Sequence, residues 1–429
     1  MPFGKSRFQG FVVRTPSPTF KGQSSLRLTL INQFYPPDIS PTGLLTASLA
    51  NHRAALGDYV TVISSQGYVK QSESEIQTNH DRVNIKRIWT LQLGKRTIVH
   101  RCLDYLIFYL SALWMVLWLP RQDTVICLTT PPFIAGVGLL HKLIHRKTKL
   151  VLWNMDCYPE VAEKAGVIRE GGAISHILQA FNKQLAIRFD HIVCLDKPMQ
   201  SILTHRNRSH TVPTSIIPNW EPLANFPAPI DKIRTDKERN TFKIIYGGNL
   251  GHGHSLDTLI EAAKKLQQKE SHVCFIVTGG GVGLKTLQQT IADQELRNFQ
   301  ILGYVSKDHF RKIQQDADCG VITLRDEMLG IMSPSKLHAN LAIGQPILYI
   351  GPRGSNVDEA ITQYQCGLSL RNGDVDGLVD GIKTLTDYST RHQYAQRARS
   401  AFEEKYCDSK TLPLFDQIID SAVYGRHSN

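Results

Sequence analysis

The residues that could do chemistry gather in three short stretches. The first is Gly247-Gly248-Asn249-Leu250-Gly251-His252-Gly253-His254, which follows the apolar run Phe242–Tyr246 and precedes a helical pattern opening at Ser255. Glycines let a backbone approach a ligand closely, and free amides at a helix start attract phosphate. The loop therefore reads as an anion site, against the plainer alternative of a tight turn. The second stretch is Ser333-Pro334-Ser335-Lys336, the start of a helix running to Ala342. Serine and proline open helices well, but a cation at that end is unfavourable unless an anion sits beside it, so Lys336 reads as a phosphate ligand. The third is Asp156, just past the carboxyl end of the strand-like run Leu150–Trp153. A carboxylate there can act as a base, bind a sugar hydroxyl, or cap its own loop.

Other motifs fall away. The loop Gly279-Gly280-Gly281-Val282-Gly283-Leu284 follows the second strand pattern of its half, and Leu284 stands where a dinucleotide fingerprint needs glycine. That argues against a dehydrogenase. Asp316-Ala317-Asp318 precedes a strand instead of ending one, and reads as helix-end charge. His141 and His145 lie four apart within the run HKLIHRKTK and read as a solvated basic face. None of the eight cysteines forms a CxxC pair, which fits buried thiols in a reducing compartment. Gly4-Lys5-Ser6 has no strand and no upstream glycine before it, so it is no P-loop.

The 429 residues are 42% hydrophobic and 20% charged, which excludes disordered, collagen-like and disulfide-scaffold proteins. The net charge of +11 is unevenly spread. Residues 1–224 hold 25 basic and 14 acidic side chains, and residues 225–429 hold 24 of each. Residues 82–150 alone carry eleven basic side chains against Asp104 and Asp123. They flank Tyr105–Leu119, fifteen residues without a charge, too short for the ~20 residues of a bilayer span. This run reads as a buried helix or as one docked in a membrane interface. The second reading predicts contact with anionic membrane, with Arg82, Lys86, Arg87, Lys95, Arg96 and Arg101 supplying charge. No nucleic-acid module is recognisable.

Short β-branched runs alternate with helical patterns along the chain, the mark of parallel α/β sheets. The predicted organisation is a disordered basic extension (1–25), a Rossmann-like acceptor domain (26–222) and a linker (223–241). A second Rossmann-like domain for a nucleotide-sugar donor (242–405) follows, then a C-terminal helix (406–429) packing back on the first domain. Ligands of such sheets bind at the carboxyl ends of the strands, so the cleft between the domains is the expected site.

Taken in order, several pieces resemble glycosyltransferases of the GT-B fold, family 4 (group 1), of the capsule and O-antigen type. They are Asn32–Asp38 with Thr42-Gly43, Thr130-Pro131-Pro132, Asp156 with Pro159-Glu160, Ile217-Pro218-Asn219-Trp220, Gly247–Gly251, Gly303-Tyr304-Val305, and Pro334-Ser335-Lys336 with Leu341–Pro346. The resemblance implies an α/β fold of two Rossmann-like domains facing across a cleft. It implies a retaining, metal-independent transfer from a nucleotide-sugar, a UDP-sugar first, with no further cofactor. Asp156 and Lys336 would be catalytic. Donor contacts would come from Thr42, Gly43, Gly248, Asn249, Gly251, Gly279, Tyr304, Val305, Pro334, Ser335 and Lys336.

The chain departs from the family at a paired glutamate motif, whose positions are Ile331 and Ala339 here; Glu327, four residues earlier, is a candidate substitute carboxylate that requires a rebuilt loop. Asn249 and His254 stand where many members carry arginine and lysine, leaving diphosphate charge to Lys336, Lys285 and backbone amides. The implied role is sugar transfer to a lipid-linked or glycan acceptor at the cytoplasmic face of the cell membrane, in cell-surface polysaccharide or glycolipid synthesis. A nucleotide-sugar 2-epimerase of the same fold, or an inactive sugar-nucleotide-binding subunit, are the alternatives.

Overall fold

The computed structural model describes residues 25–38, 40–66, 80–90, 98–206, 212–226, 241–269 and 272–425. Two parallel sheets carry the chain. The first contains β1 (Arg27–Ile31), β2 (Tyr59–Ser65), β3 (Val83–Ile88), β4 (Thr124–Cys127), β5 (Lys149–Trp153), β6 (His191–Cys194) and β7 (Thr214–Ile216), in the order β3-β2-β1-β4-β5-β6-β7. Its helices are α1 (Pro41–Ala55), α2 (Ile98–Leu117), α3 (Ala135–Ile144), α4 (Glu160–Lys164), α5 (Ala173–Ala186) and α6 (Lys197–Arg206).

The second sheet contains β8 (Phe242–Gly247), β9 (Val273–Thr278), β10 (Phe299–Gly303), β11 (Cys319–Thr323), β12 (Ile347–Ile350) and β13 (Gly367–Leu370), in the order β10-β9-β8-β11-β12-β13. Around it lie α7 (Asp257–Gln268), α8 (Gly283–Asp293), α9 (Lys307–Asp316), α10 (Lys336–Ala342), α11 (Asn356–Tyr364), α12 (Val375–Thr386), α13 (Tyr388–Ala401) and α14 (Asp408–Tyr424).

Central strands covered on both faces must be mainly apolar, and β4, β5, β11 and β12 read so, with polar residues only at Thr124, Lys149 and Thr323. The edge strand β3, VNIKRI, is only partly covered and carries charge. Strand order reverses at β1/β4 in one sheet and at β8/β11 in the other. The loops after these strands open a crevice at each switch point. Those are the loops that hold the motifs.

The chain's last helix returns to the first sheet. Trp153 of β5 stacks on Trp220 (5.5 Å between centroids, planes 6° apart), and Phe415 of α14 closes on both rings at 4.6 and 5.7 Å. Buried Arg53 of α1 pairs with Asp58 at 2.6 Å, and with Asp416 and Asp420 of α14 at 2.9 and 3.3 Å. Burial alone would favour losing that charge, but three carboxylates hold Arg53 ionised.

Two sequence expectations change. His141 is not solvated: α3 turns it onto α2, where Nδ1–H donates to the Val116 carbonyl (3.2 Å) and Nε2 lies 3.4 Å from the Gln122 amide. The helix after the first glycine loop opens at Asp257, not Ser255, whose hydroxyl instead accepts the Asp257 amide (3.2 Å). A part of the basic excess of residues 82–150 is matched within the chain. Lys142 and Lys149 share Asp190 at 2.6 and 3.5 Å, Arg121 lies 3.8 Å from Asp123, and Arg82 packs over the Tyr59 ring. Arg87 donates to the carbonyls of Tyr35 (3.3 Å), Pro36 and Ser65 (3.1 Å), fixing the loop after β1. Lys95, Arg96 and the side chain of Arg101 lie outside the described residues.

The run Tyr105–Leu119 divides between both sequence readings. Phe108, Ala112, Val116 and Leu119 are buried, while Leu103, Leu106, Leu110, Trp114 and Leu117 form an exposed stripe beside Trp118. No helix among the described residues is long and apolar enough to cross a membrane. Asp316 and Asp318 are structural, as their position before β11 implies: Lys243 donates to Asp316 from its ammonium (2.7 Å) and to Asp318 from its amide (2.8 Å).

Candidate active site

The glycine loop after β8 and the start of α10 come together around one ammonium. At Gly248 the backbone takes φ +107°, and a Cβ there would stand 3.3 Å from Lys336 Cε, so glycine is what admits the lysine stem. Lys336 Nζ lies 3.5 Å from the Asn249 carbonyl, 3.2 Å from His254 Nε2 and 4.8 Å from the centre of the Tyr246 ring. Desolvation lowers its pKa to about 8. His254 is held neutral, pushed down to about 3 by burial and by the Lys336 charge. Its Nδ1–H donates to the Thr323 carbonyl (2.6 Å), so Nε2 keeps a lone pair facing the ammonium. One half-buried cation is thus aimed by a neutral imidazole and an aromatic face, with no carboxylate among these contacts. Such surroundings favour an anion beside the ammonium.

The neighbouring loops complete its rim. Leu250 donates its amide to Gly280 (2.6 Å), and Gly279 donates to Gly303 (2.6 Å), tying the three strand-end loops of this sheet edge together. Tyr304 is 81% exposed and lies over Gly280, open to a flat partner, with Val305 beside it. Asn249 and Gly251 sit on the loop itself, while Pro334 and Ser335 lead into α10, with Ser335 exposed. Lys285 is exposed on the first turn of α8.

Asp156 arrives from the other domain. It forms an isolated antiparallel bridge with Met332, four residues before Lys336, and the Cys157 amide donates to the Ile331 carbonyl (2.7 Å). Met332 in turn covers Gly253, next to His254. The threonine Thr129 fixes the approach, its Oγ1 accepting the amides of Met155 (3.1 Å) and Asp156 (3.2 Å). Desolvation raises the Asp156 carboxyl to about 6. The seam thus joins the Asp156 backbone to the segment four residues before Lys336, while burial alone sets the carboxyl at about 6 and the ammonium at about 8.

Thr42 and Gly43 stand at the start of α1. A Cβ on Gly43 would lie 3.2 Å from the Phe34 carbonyl carbon and the Tyr35 nitrogen, so glycine lets the loop after β1 lie against the helix. Glu327 is exposed on the short turn Asp326–Met328, and its field reaches Lys164. Ile331 is a buried core residue. Sequence reasoning named Lys336 and its loop, but missed Tyr246 and Thr129, and took His254 only as a lost lysine. Thr129 adjoins Thr130-Pro131-Pro132, which was its available signal. Tyr246 had none beyond its place at the end of a strand.

The fold and this seam define a class. Residues 229–401 match the family model described as glycosyl transferases group 1. The chain is 24% identical over 388 residues, 85% of its length and 94% of the relative's, to the "Putative colanic acid biosynthesis glycosyl transferase WcaI" of Escherichia coli (strain K12). Among solved structures it superposes on the sucrose-phosphate synthase of Thermosynechococcus elongatus with TM-score 0.69 at 12% identity, covering 94% of this chain and 100% of that one. It superposes on Anabaena Alr3699/HepE, solved in complex with UDP-glucose, with TM-score 0.65 at 14% identity, covering 92% and 100%. Residues 229–401 thus match the group 1 glycosyltransferase family, and the chain as a whole has the GT-B fold.

Proposed function

We infer that the protein transfers a sugar from a nucleotide-sugar to an acceptor held by the first domain, in the building of a cell-surface polysaccharide. The carrying observation is the seam itself, where Asp156 of one domain meets the Lys336 loop of the other. The names of the relatives support the polysaccharide setting, and the UDP-glucose complex of a structural neighbour favours a UDP-sugar as donor.

In this reading the amides of Asn249 and Gly251, with Pro334-Ser335 opening α10, enclose the diphosphate, and Gly248, whose amide is held by the Thr278 carbonyl (3.0 Å), gives the backbone room to approach it. Lys336 neutralises the charge that grows as the glycosidic bond to the leaving phosphate breaks. Tyr304 and Val305 face the base, with Gly279 behind them, and Thr42-Gly43 meets the donor from the first domain. Asp156, ionised above about pH 6, accepts the proton of the attacking hydroxyl or orients the sugar. Net retention at the anomeric carbon and independence from metal belong to this proposal.

The acceptor is proposed to be lipid-linked. Beside Asp156, Phe133 (φ +62°) packs against Tyr158 and Phe181, and α5 exposes Ile174, Ile177 and Phe181 along one face. The stripe on α2, with Leu143, Ile144, Arg146 and Lys147 exposed at the end of α3, offers a second apolar face with a basic rim. Together they suit a domain resting on an anionic membrane surface. The test is calorimetric titration of nucleotide-sugars followed by release of free nucleotide on adding lipid acceptors, with the anomeric form of the product read by NMR. Turnover with net retention is expected. Binding without turnover for any acceptor would make the chain an inactive subunit, and epimerised free sugar nucleotide would make it an epimerase.

A further inference from the structure

The loop that leads into Lys336 is held by the other domain at successive residues. At Gly330 the backbone takes φ +74°, and a Cβ there would stand 2.8 Å from the carbonyl carbon and oxygen of Pro198 and 2.9 Å from Ile202 Cδ1. Glycine is thus what lets the loop lie on the first turns of α6. From the other side the Cys157 thiol donates to the Gly330 carbonyl (3.4 Å), beside the amide bond to Ile331 and the bridge at Met332 already described. The last point is Ser333, whose hydroxyl donates to the carboxylate of Asp196.

Asp196 lies between β6 and α6 and is only 4% exposed. Strands β5 and β6 are neighbours, so Asp156 and Asp196 follow adjacent strand ends and reach the same loop side by side. One Asp196 oxygen accepts the Met199 amide (2.9 Å), the ordinary duty of a carboxylate at a helix start. A buried carboxylate needs further donors, and the hydroxyl of Ser333 supplies one from the facing domain. The helix cap alone does not require that second bond.

Only Pro334 and Ser335 separate Ser333 from Lys336. The proline ring fixes one backbone angle, and the Lys336 carbonyl is held by the Asn340 side chain (2.7 Å) one turn into α10. A displacement at Ser333 therefore reaches Lys336 with few soft angles to absorb it. We propose that Asp196 is a positioning residue for the donor site: by holding Ser333 it fixes the start of α10, and so sets where the Lys336 ammonium meets the donor's diphosphate. The inference rests on the reading of Lys336 as the diphosphate ligand. Gly330 serves the same end, keeping the loop low enough on α6 for Ser333 to reach the carboxylate.

The experiment is calorimetry on the full chain with UDP, GDP and ADP, with thermal melting to report folding. Ser333→Ala removes the tie but leaves the Met199 cap intact, and Ser333→Thr keeps the hydroxyl as rescue. Ser333→Ala should weaken binding of the preferred nucleoside diphosphate about tenfold, and Ser333→Thr should restore it. Wild-type affinity should fall above about pH 8 as Lys336 loses its proton. In Ser333→Ala that break should move up toward the ordinary lysine range, since a loosened ammonium is better hydrated. In a Lys336→Met background Ser333→Ala should cost nothing further, because its effect passes through the lysine. Gly330→Ala, which lifts the loop off α6, should show the same loss and the same dependence on Lys336. Folded Ser333→Ala and Gly330→Ala chains that bind as the wild type does overturn the inference and leave the glycosyltransferase reading intact. So does an equal loss with and without Lys336. A wild type that binds no nucleoside diphosphate, or a Lys336→Met chain that binds one unchanged, overturns the reading of the site and the inference with it.

Discussion

The two halves of the molecule handle charge in opposite ways. Residues 1–224 hold the whole excess of +11, yet Lys142, Lys149, Arg121 and Arg87 spend their charge on Asp190, Asp123 and backbone carbonyls. Residues 225–429 balance to zero, yet they set one desolvated lysine against a neutral histidine, a tyrosine face and a carbonyl. Net charge counts side chains, whereas an anion site needs a cation that the fold has left uncompensated. The electroneutral half holds the stronger candidate.

The comparison breaks first where the halves are tied. Replacing Arg53 with leucine leaves Asp58 buried without its partner, and is expected to destabilise the protein by about 3–5 kcal/mol, read as a shift in chemical denaturation. If stability is unchanged, α14 is not held by that network. Next in size is Lys336→Met, which should lower kcat/KM for nucleotide release about 100- to 1000-fold, as loss of one preorganised charge does elsewhere. The double variant R146E/K147E should leave release on a detergent-solubilised acceptor within about twofold, since those side chains lie far from the seam in function. Equal losses in both variants would erase the contrast between the halves.

The pH profile sharpens it further. Asp156 must be ionised and its carboxyl sits at about 6, so kcat/KM falls about tenfold per unit below that pH. Lys336 must be protonated and its ammonium sits at about 8, so kcat/KM falls again above that pH. Asp156→Asn should remove the acid limb of the little activity that remains. A bound diphosphate favours the charged lysine, so the basic limb of kcat should lie above that of kcat/KM. A flat profile between pH 5 and 9 would exclude both roles.

Smaller effects belong to the outer face of the first half. Trp114→Ala and Trp118→Ala should each weaken sedimentation with anionic vesicles about tenfold, from the apolar area no longer buried. Arg146→Glu or Lys147→Glu should cost about fivefold at low salt and less at high salt. Vesicle binding that ignores all four substitutions would leave the α2 stripe without its proposed partner.

Much of the fold was legible in the sequence because parallel strands buried on both faces announce themselves as short apolar runs. Val273–Thr278 and Cys319–Thr323 stand at the residues that pattern predicts, and the edge strands Val83–Ile88 and Gly367–Leu370 stand where their β-branched and apolar residues place them. Helix starts were less legible. Ser255 looks like a cap, but it serves an Asp257 whose helix begins two residues on. His141 looked solvated because its neighbours are basic, and only the packing of α3 on α2 shows the ring enclosed.

By itself the sequence determined two alternating α/β halves, the glycine loop, and the charge conflict of a lysine at a helix start. Those are local properties, set by backbone freedom, side-chain type and spacing of a few residues. Tertiary structure alone decided that Asp156 reaches the bridge at Met332, that His254 faces Lys336 with a lone pair, and that Ser333 is tied to Asp196. Burial and pairing depend on what packs from distant parts of the chain. Burial alone turns an ordinary carboxyl and an ordinary ammonium into groups that titrate near neutrality, and no short window of sequence contains what covers them.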